Sequence, residues 1–380
     1  MTPLIFLGLL SVLVLVHELG HFAAARVLGI KVEEFALGLP FTPPIFSFKY
    51  KGTTYAVYPV LFGGFVKLFG EETAVKKERK KSFWSRGRKQ RMLVVGAGVV
   101  ANVVLAMVAF VILYTAVGVP SSKKPQVTIL RVEEGSPADF AGIKPEDWIT
   151  MVENKKIESS DEFSRLMRSW AGLEVNMTVR RGGMKLLEGI AELGVEEKVM
   201  RIKPRENPPS GQGPVGVTIA EFPYLEMKQC LVLSAECSVA AVGAGVNTTL
   251  DWGRRVLEGL RDMGKSIVAG KAPEGLAGPV GIYQITGVVA KGGGWPVLEL
   301  LGVLSINLAV FNILPIPALD GGRMFFIWLE WARRKRISVE LEQKINAWGM
   351  AILLSLLVAI TLQDVIRAGV VDKLLKFVRL

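Results

Sequence analysis

Residues 4–25 read LIFLGLLSVLVLVHELGHFAAA, an apolar run interrupted by His17-Glu18-Leu19-Gly20-His21, which holds both histidines of the 380-residue chain. Residues 4–16 are apolar apart from Gly8 and Ser11, and Phe22 to Ala25 continue the run. The stretch is long enough for a helix that crosses a bilayer. On a helix, positions i and i+4 share a face, so both imidazoles can reach one Zn²⁺ with Glu18 beside them as a general base. The plainer alternative is a pair of histidines satisfied by neighbouring helices. Against it stands the cost of several kcal/mol for each polar group left uncompensated in hydrocarbon.

The rest of the composition fits a membrane protein. Half of the residues are hydrophobic, mean hydropathy is +0.38 and 21% are charged, which is too apolar for an ordinary soluble chain. The net charge of +11 is concentrated. Nine basic residues fall between Glu71 and Arg91, and a second cluster is Arg333-Arg334-Lys335-Arg336. Both abut apolar spans, the pattern of cytoplasmic loops facing anionic lipid headgroups. No nucleic-acid-binding module accompanies the charge, so nucleic acid is excluded as a partner. Cys230 and Cys237 cannot build a disulfide framework and read as two small buried residues on one helix face.

Four spans are predicted: residues 3–28, 92–119, 296–319 and 347–362, with Asn102 the only strongly polar side chain of the second. Ala23-Ala24-Ala25 resembles a signal-peptide cleavage site, but no basic residue precedes the apolar run, so the first span reads as a retained helix. Cytoplasmic basic loops put both termini and residues 120–295 outside. The apolar stretch 230–246 and residues 252–268 are read as helices lying at the interface, since a fifth span would place Arg333 to Arg336 outside. The expected architecture is a polytopic α-helical membrane protein. Its parts are an N-terminal membrane core (1–119), an extracytoplasmic module and linker (120–220), interfacial helices (221–295) and a C-terminal membrane core (296–380).

Catalytic zinc needs a third protein ligand and an open position. No histidine remains, and the best candidate is Asp320, after Asn312-Ile313-Leu314-Pro315-Ile316-Pro317-Ala318-Leu319 and before Gly321-Gly322. The two prolines break the helix and free backbone groups that must be buried in protein or face a wet cavity. An ordinary helix-ending turn with a solvated aspartate is the competing reading of this segment alone.

Together, His-Glu-Leu-Gly-His and Asn-x-x-Pro-x-Pro-x-Leu-Asp-Gly-Gly resemble the site-2 protease family of intramembrane zinc metalloproteases, nearest to its bacterial regulator-of-sigma-E branch. The resemblance spans nearly the whole chain. It implies one zinc ion held by His17, His21 and Asp320, Glu18 as general base, and Asn312 holding the substrate backbone or the developing charge. Residues 47–69 alternate like a hairpin with a Lys51-Gly52 turn, then read Gly63-Gly64-Phe65-Val66-Lys67. They look like the family's membrane-associated β-hairpin, with Gly63, Gly64, Phe65 and Val66 positioned to pair with an extended substrate. Gly278-Pro279-Val280-Gly281-Ile282 resembles another family segment and reads as a surface turn.

Residues 126–193 are more polar, with strands at 127–132, 147–149 and 175–180 and helices after Gly135 and over 160–170. The run Ser-Pro-Ala-x-x-Ala-Gly-Ile-x-x-x-Asp-x-Ile resembles a single α+β PDZ domain, a peptide clamp or a filter against bulky ectodomains. Residues 201–216 read as a connection, with Val215-Gly216-Val217 as a possible closing element. The resemblance implies an inner-membrane protease that cuts single-pass membrane proteins such as anti-sigma factors or signal-peptide remnants. Two rival readings are a membrane metal transporter or sensor using the same ligands, and a non-catalytic PDZ scaffold. The first leaves Glu18 beside His17 unexplained, the second the buried histidines.

Overall fold

The computed structural model describes residues 1–71, 79–187, 189–209, 212–228, 235–269 and 278–367. In chain order the elements are α1 (Thr2–Val27), β1 (Val32–Leu39), β2 (Phe46–Tyr50), β3 (Thr53–Val57), β4 (Val60–Leu68), α2 (Arg88–Val117), β5 (Val119–Val132), α3 (Pro137–Phe140), β6 (Trp148–Val152) and β7 (Lys155–Lys156). There follow α4 (Ser160–Ser169), β8 (Val175–Leu186), β9 (Gly189–Ile202), β10 (Val217–Lys228), α5 (Ala235–Val268), α6 (Pro279–Ala290), α7 (Gly294–Ile313), α8 (Asp320–Arg333) and α9 (Val339–Arg367). Among the described residues, four helices are long and apolar enough to cross a membrane: α1, α2, α7 and α9. They correspond to the four predicted spans with shifted ends. The third stops at Ile313 instead of running to residue 319, and the fourth starts at Val339 instead of residue 347. Pro315 has no N–H to continue the ladder, and the chain turns through Leu314 N–H to Phe311 O and Ile316 N–H to Leu314 O before α8 starts at Asp320.

The chain divides into two compact units, the first comprising Met1–Val111, Gly245–Lys291 and the residues from Leu300 onward. It contains a four-stranded sheet of order β2-β3-β1-β4. The predicted hairpin is present as β2 and β3, with Lys51 (φ 47°) and Gly52 (φ 83°) both left-handed at the turn, as a two-residue hairpin connection requires. However, β4 is not part of that hairpin. It pairs antiparallel with β1, a strand absent from the sequence reading, and β1 in turn pairs parallel with β3. The result leaves β4 at one edge of the sheet, against α1, where a Cβ on Gly64 would stand 2.7 Å from Val14 Cγ1 and 3.2 Å from Glu18 Cγ.

Beneath the sheet a core of Ala25, Ile30, Val32, Leu68, Phe83, Trp84, Val94, Val95 and Ile327 joins the ends of α1, α2 and α8. Arg91 and Glu330, each 1% exposed, form an ion pair inside this region. The Arg91 guanidinium also lies 4.8 Å from the Trp84 ring, and Glu330 Oε1 accepts the Ile337 N–H at 3.2 Å. The Gly278–Ile282 segment is not a surface turn. It opens α6, whose Gly281 N–H donates to the Asp364 carboxylate of α9 at 2.9 Å.

The second unit, Ile112–Ala244 with Gly292–Glu299, carries a sheet of order β5-β10-β9-β8-β6-β7 that curls back on itself through a β5–β6 pairing. The strand read as last, at 175–180, is followed by β9 and β10, and residues 221–228, expected among interfacial helices, belong to β10. Within the stretches 230–246 and 252–268, expected as two interfacial helices, the described residues from Ala235 to Val268 form one continuous helix, α5. Cys230 lies outside the described residues. The core of this unit packs Val127, Ile129, Ile149, Phe163, Met167, Val179 and Ile202. Asp147, fully buried, receives two bonds from Arg181 at 2.6 and 2.7 Å, and this fork pushes the guanidinium pKa up.

Removing one partner of a buried ion pair strands the other charge at a cost of about 3–5 kcal/mol, whereas replacing both with apolar groups is often neutral. Arg91→Ala is therefore expected to lower resistance to unfolding in detergent by that order, and Arg91→Met with Glu330→Met to recover much of it. Thermal unfolding of the two variants checks this.

Candidate metal centre

Helix α1 offers His17 and His21 from one face, with ring centroids 4.8 Å apart and planes 83° apart, so that both Nε2 atoms aim at one point. Those atoms are 3.2 Å from each other, and they lie 3.1 and 3.2 Å from Asp320 Oδ2. The ligand atoms of His17, His21 and Asp320 all fall within 4.8 Å of one another.

The far side of each ring is fixed by α2. His21 Nδ1 lies 2.9 Å from the Val94 carbonyl oxygen, which only accepts, so Nδ1 carries a proton, and it is the Nε2 lone pair that the ring presents inward when neutral. His17 Nδ1 lies 3.2 Å from the side-chain amide of Asn102, whose Oδ1 is buried without a hydrogen-bond partner among the described residues. Amide oxygen and nitrogen exchange by a half-turn, and the network decides between them. With Oδ1 toward the ring, Asn102 accepts from Nδ1–H and His17 also presents its Nε2 lone pair inward. The centre is then three converging electron-pair donors, two nitrogens and a carboxylate oxygen, which a cation satisfies. Nitrogen–nitrogen–oxygen with one open side is a catalytic zinc set.

Val94, Gly98 and Asn102 are spaced four apart and share one face of α2. Gly98 provides the room: a Cβ there would stand 2.4 Å from His21 Nε2 and 2.7 Å from His17 Cε1. The spacing is visible in the sequence, and an asparagine inside an apolar span is itself a signal. A main-chain acceptor such as the Val94 carbonyl leaves no side-chain trace.

Asp320 reaches the centre because α8 begins against the turn that ends α7. A Cβ on Gly321 would stand 2.0 Å from Leu314 O, and one on Gly322 2.4 Å from Ile316 O, so the two glycines let the helix start directly on that turn. Ala318, two residues before the aspartate, sits at φ 75°, a left-handed conformation that costs a residue with a Cβ about 1–2 kcal/mol.

All nine residues singled out from the sequence line one cavity of about 1000 Å³: His17, Glu18, His21, Gly63, Gly64, Phe65, Val66, Asn312 and Asp320. The cavity wall also holds Glu71 and Arg323, an ion pair that sequence reasoning did not find, and the carboxylate pushes the guanidinium pKa up.

The sequence matches the model of peptidase family M50 over residues 5–356. A Clostridium perfringens protein whose name assigns it provisionally to the zinc metalloproteases is 33% identical over 360 residues, covering 94% of this chain and 96% of its own. Regulator of sigma-W protease RasP of Bacillus subtilis is 27% identical over 446 aligned positions, covering 96% of this chain and 98% of its own. Zinc metalloprotease RasP of Oceanobacillus iheyensis is 26% identical over 446 positions, covering 96% and 99%.

If α2 shapes the centre, Gly98→Ala and Asn102→Leu each weaken zinc binding by roughly 10–100-fold, the usual effect of disturbing groups behind a metal ligand. Competition against a chelator of known affinity measures it.

Proposed function

The chain belongs to peptidase family M50, and on that premise we propose that it is an intramembrane zinc endopeptidase acting through His17, His21, Asp320 and Glu18. The observation that carries the reading is the convergence of two imidazole nitrogens and one carboxylate oxygen beside Glu18 in a single cavity. His17, His21 and Asp320 hold the metal. Zinc bound there supplies a Lewis acid for the scissile carbonyl and makes water a stronger acid. Glu18 takes the proton of the attacking water and delivers it to the leaving amine nitrogen. Asn312, on the cavity wall and 9% exposed, donates its amide N–H to the substrate backbone.

A peptide bond inside a helix is shielded by its turns and its carbonyl is already hydrogen-bonded, so the substrate must be extended at the site. Strand β4 supplies the template. It is an edge strand, its residues Gly63, Gly64, Phe65 and Val66 line the cavity, and edge strands carry unpaired main-chain groups that capture an extended segment.

The substrates are single-pass membrane proteins, of the anti-sigma-factor or signal-peptide-remnant type, cut within or near the transmembrane segment. The name of the Bacillus subtilis relative, a regulator of a sigma factor, supports that class. The four apolar helices span the inner membrane, with the basic stretches on the cytoplasmic side and both termini outside. The strand-rich second unit is a PDZ domain that contacts the peptide or ectodomain of the substrate.

Reconstituted with a single-pass test substrate, the chain is expected to cleave it. A chelator should stop the reaction and added zinc restore it. Glu18→Gln should slow cleavage by about 10²–10⁴-fold while zinc content stays at one per chain. Cleavage that survives Glu18→Gln or metal removal overturns the reading, and zinc movement across vesicles without proteolysis would favour a transporter.

A further inference from the structure

Helix α9 carries no residue of either sequence motif, yet it grips the turn that delivers Asp320. Asn346 Oδ1 accepts the Ala318 N–H at 3.1 Å. One turn further along, Gly349 is buried against Pro317, where a Cβ would stand 2.5 Å from Pro317 Cβ and 2.7 Å from its carbonyl oxygen. Asn346 and Gly349 are three apart and present one face of α9 to Pro317-Ala318. On the other side, Gly321 and Gly322 bring α8 hard against residues 313–317 of the same turn. The turn is therefore held between two helices, and Ala318 is kept left-handed, a state that a residue with a Cβ leaves unless its surroundings enforce it.

We propose that Asn346 is a positioning residue for the metal centre. Its side-chain oxygen fixes the Ala318 N–H, which locks the turn and sets the Asp320 carboxylate opposite His17 and His21. The proposal rests on the reading of those three residues as the zinc ligands. Asp320 opens α8 as its first residue, and Leu319 before it provides no side-chain cap. The direction of the carboxylate thus depends on the backbone of residues 317–319. Release of the Ala318 N–H lets that residue relax to negative φ and swings the start of α8. A ligand set within hydrogen-bond distance of two fixed imidazoles tolerates little such movement. The fourth span then does more than anchor the chain, because it completes the ligand geometry.

The test measures zinc affinity of the purified full-length chain by chelator competition, together with thermal unfolding of the metal-free proteins. Wild type is expected to bind one zinc and Asp320→Ala to lose it. Asn346→Ala should bind about 10–100-fold more weakly, with a metal-free unfolding temperature close to that of wild type. Asn346→Asp keeps the accepting oxygen and should stay within about threefold of wild type. Ala318→Gly, added to Asn346→Ala, should recover part of the affinity, because glycine takes positive φ without strain. Ser355→Ala, on an exposed part of α9 where the hydroxyl bonds its own helix, serves as control and should leave affinity unchanged. Wild-type affinity in Asn346→Ala alongside loss in Asp320→Ala overturns the proposal and leaves the ligand assignment standing. Equal losses in Asn346→Ala and Asn346→Asp, unrelieved by Ala318→Gly, overturn it in favour of a general packing role. Failure of Asp320→Ala to weaken binding overturns the ligand assignment itself, and the proposal with it.

Discussion

Three electron-pair donors held within 3.2 Å of one another repel unless a positive charge stands among them. That arrangement is the constraint on which the first unit depends. Holding it requires both imidazoles to be turned from behind, and α2 does so with a carbonyl and an amide. It requires space for two rings between crossing helices, which Gly98 leaves open. It also requires a carboxylate on a backbone that cannot drift, hence the abrupt start of α8 on the turn after α7. Packing around the centre is costly in polar groups. The buried pair of Arg91 and Glu330 and the more exposed pair of Glu71 and Arg323 show charges of this unit set against opposite charges.

Much of the centre was legible because its chemistry sits in side chains at short spacings. His17, Glu18 and His21 declare themselves by periodicity on a helix, and Asp320 by the prolines and glycines around it. The end of the third span was less legible. Two prolines announced a break without saying on which side of them the helix would stop, and it stopped before both. Strand β1 was missed for a different reason. Its sequence Val32-Glu33-Glu34-Phe35-Ala36-Leu37-Gly38-Leu39 forms no hairpin with a neighbour, and its partners β3 and β4 are set by pairing that no local pattern encodes. Val94 contributes a main-chain oxygen, and Asn346 bonds a main-chain N–H, so neither role is written in residue type.

The second unit was read in outline from the same logic, and its errors have the same origin. Strands β6 and β8, before and after α4 in the chain, were found in part, while the two-residue β7 was not. Helix α4 has a local signature, Ser159 accepting the Glu162 N–H as an N-cap. Strand β10 has none. It starts after a Pro- and Gly-rich connection and is defined by its long antiparallel register with β5, nearly a hundred residues earlier in the chain.

The proposed ligand set is spread along the chain in a way that bears on biogenesis. His17 and His21 emerge from the ribosome first, in the opening helix, while Asp320 follows about 300 residues later and the helix gripping its turn later still. A nascent chain with two helices inserted therefore holds two imidazoles and Glu18 but no third ligand. At a translation rate of about 5–20 residues per second, that interval lasts tens of seconds. On that proposed assignment, the order of residues along the chain withholds the third ligand from the first two until α8 has been made.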